Sequence, residues 1–221
     1  DFPIEPDTAK AVKELAPNLK NISAERIQTE LVKLLTSPHP ERIQDACELG
    51  ITKVVLPEWD AMVGVKQNTI HHKYDVAEHT LHTLKHVKRD KYLRLTMLFH
   101  DMGKIQEISD FPQNDYTDDG QLLGHIYIGA KAMEEAAAKV PGFPAKLKNE
   151  LVHCILAHHG KMEYGSPKVP AIMEAMALHM ADNADAKLQT LTEIFTQAGD
   201  NMAWLGFNRM FDSYLRRTSN D

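Results

Sequence analysis

Five histidines and two aspartates in this chain have the types and spacing of metal ligands. The pattern centres on His100-Asp101-Met102-Gly103-Lys104. An adjacent His and Asp in the last turn of a helix can both turn toward one cation. His79 lies 21 residues upstream, and His125 opens the next helix. His158-His159 end another helix, and Asp182 sits in the one after that. Four or five helices would each present a ligand-type residue, which is how helical bundles build metal sites. Imidazole nitrogen with carboxylate oxygen suits Mn, Fe, Co, Ni or Zn better than Mg alone. The chain has 12 histidines, and eleven of them fall between His71 and His179. Such clustering points to a site.

The elements that must position these residues read as helical nearly throughout. Ser23 precedes Arg26, Ile27, Leu31, Leu34 and Leu35, an N-cap before an amphipathic helix. Pro38 and Pro40 end that helix and start another. Helices are expected over 75–88, 92–101 (stopped by Gly103), 125–139 and 146–159 (stopped by Gly160). Pro170 is expected to open a long helix through Asp182 to about Gln197. A last helix would carry Trp204, Phe207, Phe211 and Tyr214 on one face, docked on the core. Residues 109–124 and 161–169 read as loops. No alternation reads as a strand. The expected class is all-α, with residues 1–60 a small helical neck and 61–221 a bundle carrying the histidines.

The other histidines are expected outside the centre. His82 and His86 share a helix face with His79, so geometry alone leaves them open. His153 and His179 lie in apolar contexts and read as satisfied core histidines, and one of His71 and His72 is a candidate pocket residue. Asp75, one turn before His79, could orient it or ligate a further metal. The basic run Lys85, Lys88, Arg89, Lys91, Arg94 reads as a solvated face, with RNA phosphate as the alternative.

The order His79 … His100-Asp101 … Asp182 resembles the HD superfamily of metal-dependent phosphohydrolases. The flanking words fit as well: Asp75-Val-Ala-Glu-His79, Gly124-His125 and His158-His159-Gly160. The resemblance implies an HD-type helical bundle with one metal at His79, His100, Asp101 and Asp182. Extra histidines at positions 125, 158 and 159 resemble members with two or three metals, such as the HD-GYP phosphodiesterases. Gly165-Ser166-Pro167 stands where those have Gly-Tyr-Pro, which argues against a cyclic dinucleotide. The stretch from His158 to Lys187 is closer to HD-domain 3′–5′ exoribonucleases. Residues 1–110, with Ile22-Ser23-Ala24-Glu25-Arg26-Ile27, Leu56-Pro57-Glu58 and His71-His72-Lys73-Tyr74-Asp75, resemble the RNA-binding and HD region of bacterial CCA-adding tRNA nucleotidyltransferases and poly(A) polymerases. Nucleotidyl transfer needs paired carboxylates, and this chain contains no Asp-x-Asp.

The expected activity is hydrolysis of a nucleotide or RNA-end phosphate ester with one to three divalent ions. Asp101 and Lys104 are the expected catalytic residues, and Lys161 and Lys168 candidate phosphate contacts. The alternative is a tRNA-binding module with a structural HD site. The 25 Lys and Arg against 31 Asp and Glu give a net charge of −6, which argues against broad nucleic-acid binding but not against a local patch. Cys47 and Cys154 read as free thiols, suiting a reducing cytosol. No apolar run is long enough to span a membrane, and no secretory signal is visible, so a cytoplasmic place is expected.

Overall fold

The computed structural model describes residues 3–66, 74–110, 112–199 and 203–218. The chain is all-α, a helical bundle preceded by a helical region, with one small hairpin at its end. Helices α1 (Pro6–Leu15) and α2 (Ala24–Thr36) are followed by three short ones: α3 (Ile43–Glu48), α4 (Thr52–Val55) and α5 (Pro57–Met62). Then come α6 (Val76–His86), α7 (Lys91–Phe99), α8 (Lys104–Glu107), α9 (Asp118–Ala138), α10 (Ala145–Ala157) and α11 (Met173–Gln197).

Local chemistry sets the starts of the helices that matter. Asp75 and Glu78 form a reciprocal capping box at the head of α6. Asp90 caps α7 by accepting from the Tyr92 and Leu93 amides. Ser23 occupies the N-cap of α2, but its hydroxyl makes no capping bond. The Thr117 hydroxyl caps α9, accepting from the Gly120 amide. The loop expected over 109–124 is therefore shorter, because α9 already begins at Asp118. Gly124, at φ 72° and ψ 153°, breaks α9 just before His125, so the helix expected from that residue is the second part of α9. Helix α11 begins at Met173, three residues after Pro170.

One buried cluster joins the front of the chain to the bundle. It includes Leu35, Ile43, Trp59 and Met62 from the first five helices, and Leu84, Met97, Leu98, Cys154 and Leu178 from the rest. Arg94 is built into this junction, contrary to its expected place on a solvated face. Its guanidinium is buried and donates to the carbonyls of Leu35, Val87 and Lys88 at 3.1, 3.0 and 3.3 Å. It thereby closes the open ends of α2 and α6. Arg94→Ala orphans these carbonyls, so a loss of about 3 kcal/mol is expected. Denaturant unfolding checks this, and an unchanged midpoint would contradict it.

The last helix expected from the aromatic spacing is not formed. Phe207–Asn208 (β1) and Ser213–Tyr214 (β2) pair antiparallel, with Phe207 opposite Tyr214. Gly206 at φ 96° and Asp212 at φ 48° hold left-handed backbone that a helix does not accommodate. The aromatic face is not docked on the core: Trp204, Phe207 and Tyr214 are exposed. Cys47 and Cys154 are free thiols, and burial pushes Cys154 up to about 12. No helix among the described residues is long and apolar enough to cross a membrane.

Candidate metal centre

Two helix ends deliver two histidines by the same local device. His100 caps the C-terminus of α7, and its Nδ1–H folds back 2.7 Å onto the Met97 carbonyl. His158 caps α10 and donates from Nδ1 to the Ile155 carbonyl, also at 2.7 Å. Both bonds satisfy a carbonyl that the helix leaves open, and they fix the tautomer so that Nε2 is the bare nitrogen. Both Nε2 atoms are buried without a hydrogen-bond partner.

Two further histidines are held by buried carboxylates. His79 projects from the inner face of α6, and its Nδ1 lies 2.9 Å from Asp185. His125 follows the Gly124 turn, and Glu107 accepts both its backbone N–H and its Nδ1–H at 2.9 Å. His159 donates from Nδ1 to the Tyr164 carbonyl at 2.8 Å. Asp182 and Asp185, one turn apart on α11, reach His79 from either side, with Asp182 Oδ1 2.9 Å from Nε2.

Asp101 stands between two groups of ligand atoms. His79, His100 and Asp182 offer atoms all within 4.8 Å of one another, and so do His125, His158 and His159. Asp101 Oδ2 faces the first group, 3.7 Å from His79 Nε2 and 3.4 Å from His100 Nε2. Oδ1 faces the second, 3.7 Å from His125 Nε2 and 3.6 Å from His158 Nε2. These separations are too long for hydrogen bonds. They match two ligand atoms that each reach one cation at about 2.1 Å. Asp101 Oδ1 and the Nε2 atoms of His100, His125 and His158 are four buried polar atoms with no partner. Native proteins rarely leave such atoms unsatisfied, and a missing ion is one recognised reason. The donor set therefore fits two divalent cations that share Asp101.

The electrostatics agree. Burial opposes a charge on Asp101, yet Lys104, 2.7 Å away, and the surrounding histidines hold its carboxyl well below the usual range. Burial also opposes charge on His79, but its bonds to Asp182 and Asp185 outweigh this and raise it to about 9. Asp182 is pushed down, mainly by His79, against its own desolvation. Burial lowers His100 to about 4; for His159, burial and then the neighbouring His158 and His125 do the same. His125 is lowered by burial.

Glycines allow the close approach of these elements. A Cβ on Gly103 would overlap the His125 carbonyl and lie 2.8 Å from the Gly129 nitrogen. A Cβ on Gly160, at φ 78°, would run into the His179 ring, whose Nδ1 meets the His158 carbonyl at 3.0 Å.

All seven expected ligands thus meet in one place. Lys104 is buried against Asp101. Lys161 lies on the surface, 3.1 Å from Glu163, and Lys168 is exposed. His82 stacks on Tyr74 and is 3.6 Å from Asp185, outside both groups, and His86 is exposed. His153 accepts from the Ala171 amide and His179 meets the His158 carbonyl, so both are hydrogen-bonded as expected, but both are half-buried and not in the core. Asp75 caps α6, and the orienting of His79 expected of it falls to Asp185. His71 and His72 lie outside the described residues. Glu107 was not foreseen; its only sequence signal is a place one turn after Lys104 on α8.

The HD domain family matches residues 69–187, which hold every one of these ligands. The chain belongs to the HD-domain family. The segment before the HD domain, residues 1–63, matches the family described as the probable RNA and SrmB-binding site of polymerase A. Relatives of the chain include the 3′–5′ exoribonuclease YhaM of Shouchella clausii, 42% identical over 97 residues, covering 43% of this chain and 30% of that one. The YhaM proteins of Bacillus subtilis (strain 168) and Bacillus velezensis (strain FZB42) are 41% identical over 99 residues and 45% over 92, covering 43% and 42% of this chain. The match spans about three-tenths of each relative's length (30% and 29%). No solved structure matches.

Proposed function

We propose that this chain is a metal-dependent phosphohydrolase acting on phosphodiesters at the 3′ end of RNA. The observation that carries the reading is the set of partnerless buried atoms around Asp101. His79, His100, Asp182 and Asp101 Oδ2 would hold one divalent cation; His125, His158, His159 and Asp101 Oδ1 would hold the other. Such ions, when bound, supply a nucleophilic hydroxide at neutral pH and stabilise charge on the phosphoryl oxygens. Nitrogen-rich ligation favours Mn, Fe, Co, Ni or Zn over Mg alone.

The chain's own residues prepare this chemistry. Lys104 keeps Asp101 ionised and fixed in place between the two groups. Asp185 and Glu107 fix the rings of His79 and His125 and leave each Nε2 facing inward. The His100 and His158 rings are fixed by carbonyls of their own helices. RNA as substrate is supported by the RNA-binding family match over 1–63 and by the names of the relatives. The free thiols suit a reducing, cytoplasmic setting.

The same 1–63 match favours a second reading, a tRNA-binding module with a structural HD site. The test is release of nucleotides from a 5′-labelled oligoribonucleotide with added Mn, beside tRNA binding. Mn-dependent shortening supports the hydrolase. Tight tRNA binding with no turnover supports the module.

Metal uptake is also expected to depend on pH with a definite sign. His79 without metal titrates near 9, so below that pH it carries a proton that ligation at Nε2 must displace. His100 and His159 titrate near 4 and are already neutral from pH 6 upward. Affinity at the His79 group should therefore rise roughly tenfold per pH unit from 6 to 9, then level off. Competition with a metal indicator measures this. A flat profile would contradict the placement of His79.

A further inference from the structure

The turn that follows His159 is held rigidly but presents its side chains to solvent. Gly160 and Gly165 take left-handed backbone at φ 78° and 83°. The Tyr164, Gly165 and Ser166 amides all bond back within the turn, to Lys161, Met162 and Lys161. Ser166 is buried, its hydroxyl 2.9 Å from the Leu156 carbonyl and 2.8 Å from that of Lys168. Yet Met162 and Tyr164 are 75% and 50% exposed. The Tyr164 ring is therefore offered by an ordered scaffold.

Its position is tied to the metal centre. The Tyr164 carbonyl accepts the Nδ1–H of His159, and the His159 ring is 4.3 Å from that of His158 and 5.1 Å from that of His125. Lys161 places its ammonium 5.2 Å from the centre of the Tyr164 ring, with Glu163 as its ion partner. A flat, accessible aromatic face beside a cation is how single-stranded RNA is gripped: bases stack on the ring and phosphates meet the charge. The chain leading into His125 likewise exposes Leu122 and Leu123.

We propose that Tyr164, flanked by Lys161, is a nucleobase subsite on which the base of the 3′-terminal nucleotide stacks. This rests on the reading of the centre as an RNA phosphohydrolase. It adds a residue that fixes the substrate without touching the reacting phosphate. Stacking there would accept any base, since every base has a π face.

The ring can be removed cleanly, because His159 is held by the Tyr164 backbone and not by its side chain. Y164A should raise KM tenfold or more on an oligoribonucleotide with an intact 3′ base. On the same oligonucleotide with an abasic 3′ residue, parent and Y164A should be alike. Y164F should behave as the parent, and metal content should be equal in all three proteins. Binding without turnover is read with a 3′-terminal 2-aminopurine oligonucleotide bearing a phosphorothioate last linkage. The parent should quench its fluorescence, and Y164A should not. An unchanged KM, an equal change on the abasic substrate, or quenching retained in Y164A would overturn the subsite. A metal-free parent without turnover would instead refute the hydrolase reading, and the quenching comparison would still decide the subsite.

Discussion

Asp101→Asn is expected to lower turnover on RNA 3′ ends by at least a thousandfold, with the fold intact. Among the described residues, Asp101 is the one whose two oxygens face both groups of histidines. The amide keeps the shape but loses the charge that would bind and bridge two cations, and metal-organised transition-state stabilisation contributes several kcal/mol. Asp101→Ala should show the same kinetic loss together with a stability loss. It removes the carboxylate 2.7 Å from the buried Lys104 ammonium, and breaking a buried pair from one side costs about 3–5 kcal/mol. Asp101→Ala with Lys104→Met should recover much of that stability and none of the activity. Melting curves separate the two effects. Turnover within tenfold of the parent in Asp101→Asn would remove Asp101 from the mechanism.

Gly103→Ala should be among the most damaging of the glycine substitutions in the described residues. The added carbon collides with two backbone groups of α9, the His125 carbonyl and the Gly129 nitrogen, and backbone cannot swing aside as a side chain can. Helices α8 and α9 would have to part, which carries His125 away from Asp101. Overpacking of this kind costs several kcal/mol, roughly 3 or more. The His125 group should lose its metal before the His79 group does. Gly129→Ala is the control. Its Cβ would meet the Ile155 side chain at 3.4 Å and the Gly103 backbone at 3.5 and 3.8 Å, ordinary contact distances, so about 1 kcal/mol or less is expected. Equal stability and equal metal content in Gly103→Ala would show that this contact is not what seats His125.

What the sequence made legible was the part written locally. The glycines after Asp101 and His159 mark helix ends, and most of the ligands sit at or near a helix end or break, Asp182 in the middle of α11 being the exception. Their family spacing did the rest. Interactions made across the fold had no local mark. Asp185 meets His79 from 106 residues away, and Arg94 reaches the Leu35 carbonyl from 59. Arg94 looked like one more charge in a basic run because composition does not distinguish a buried guanidinium from a solvated one. The C-terminal aromatics at 207, 211 and 214 have helical spacing, but Gly206 and Asp212 set the backbone against it, and backbone sterics prevailed over periodicity. Helix α9 begins earlier than its sequence suggests because a polar, aspartate-rich first turn reads as loop, although acidic residues there favour a helix start.

The most direct test of the central claim is the metal content of the protein as purified and after Mn loading, with anomalous scattering from a crystal to locate the ions. The account predicts two ions per chain, one against His79, His100 and Asp182 and one against His125, His158 and His159, both touching Asp101. A loaded protein with no ion, or with one ion that leaves either group of histidines unligated, would contradict it.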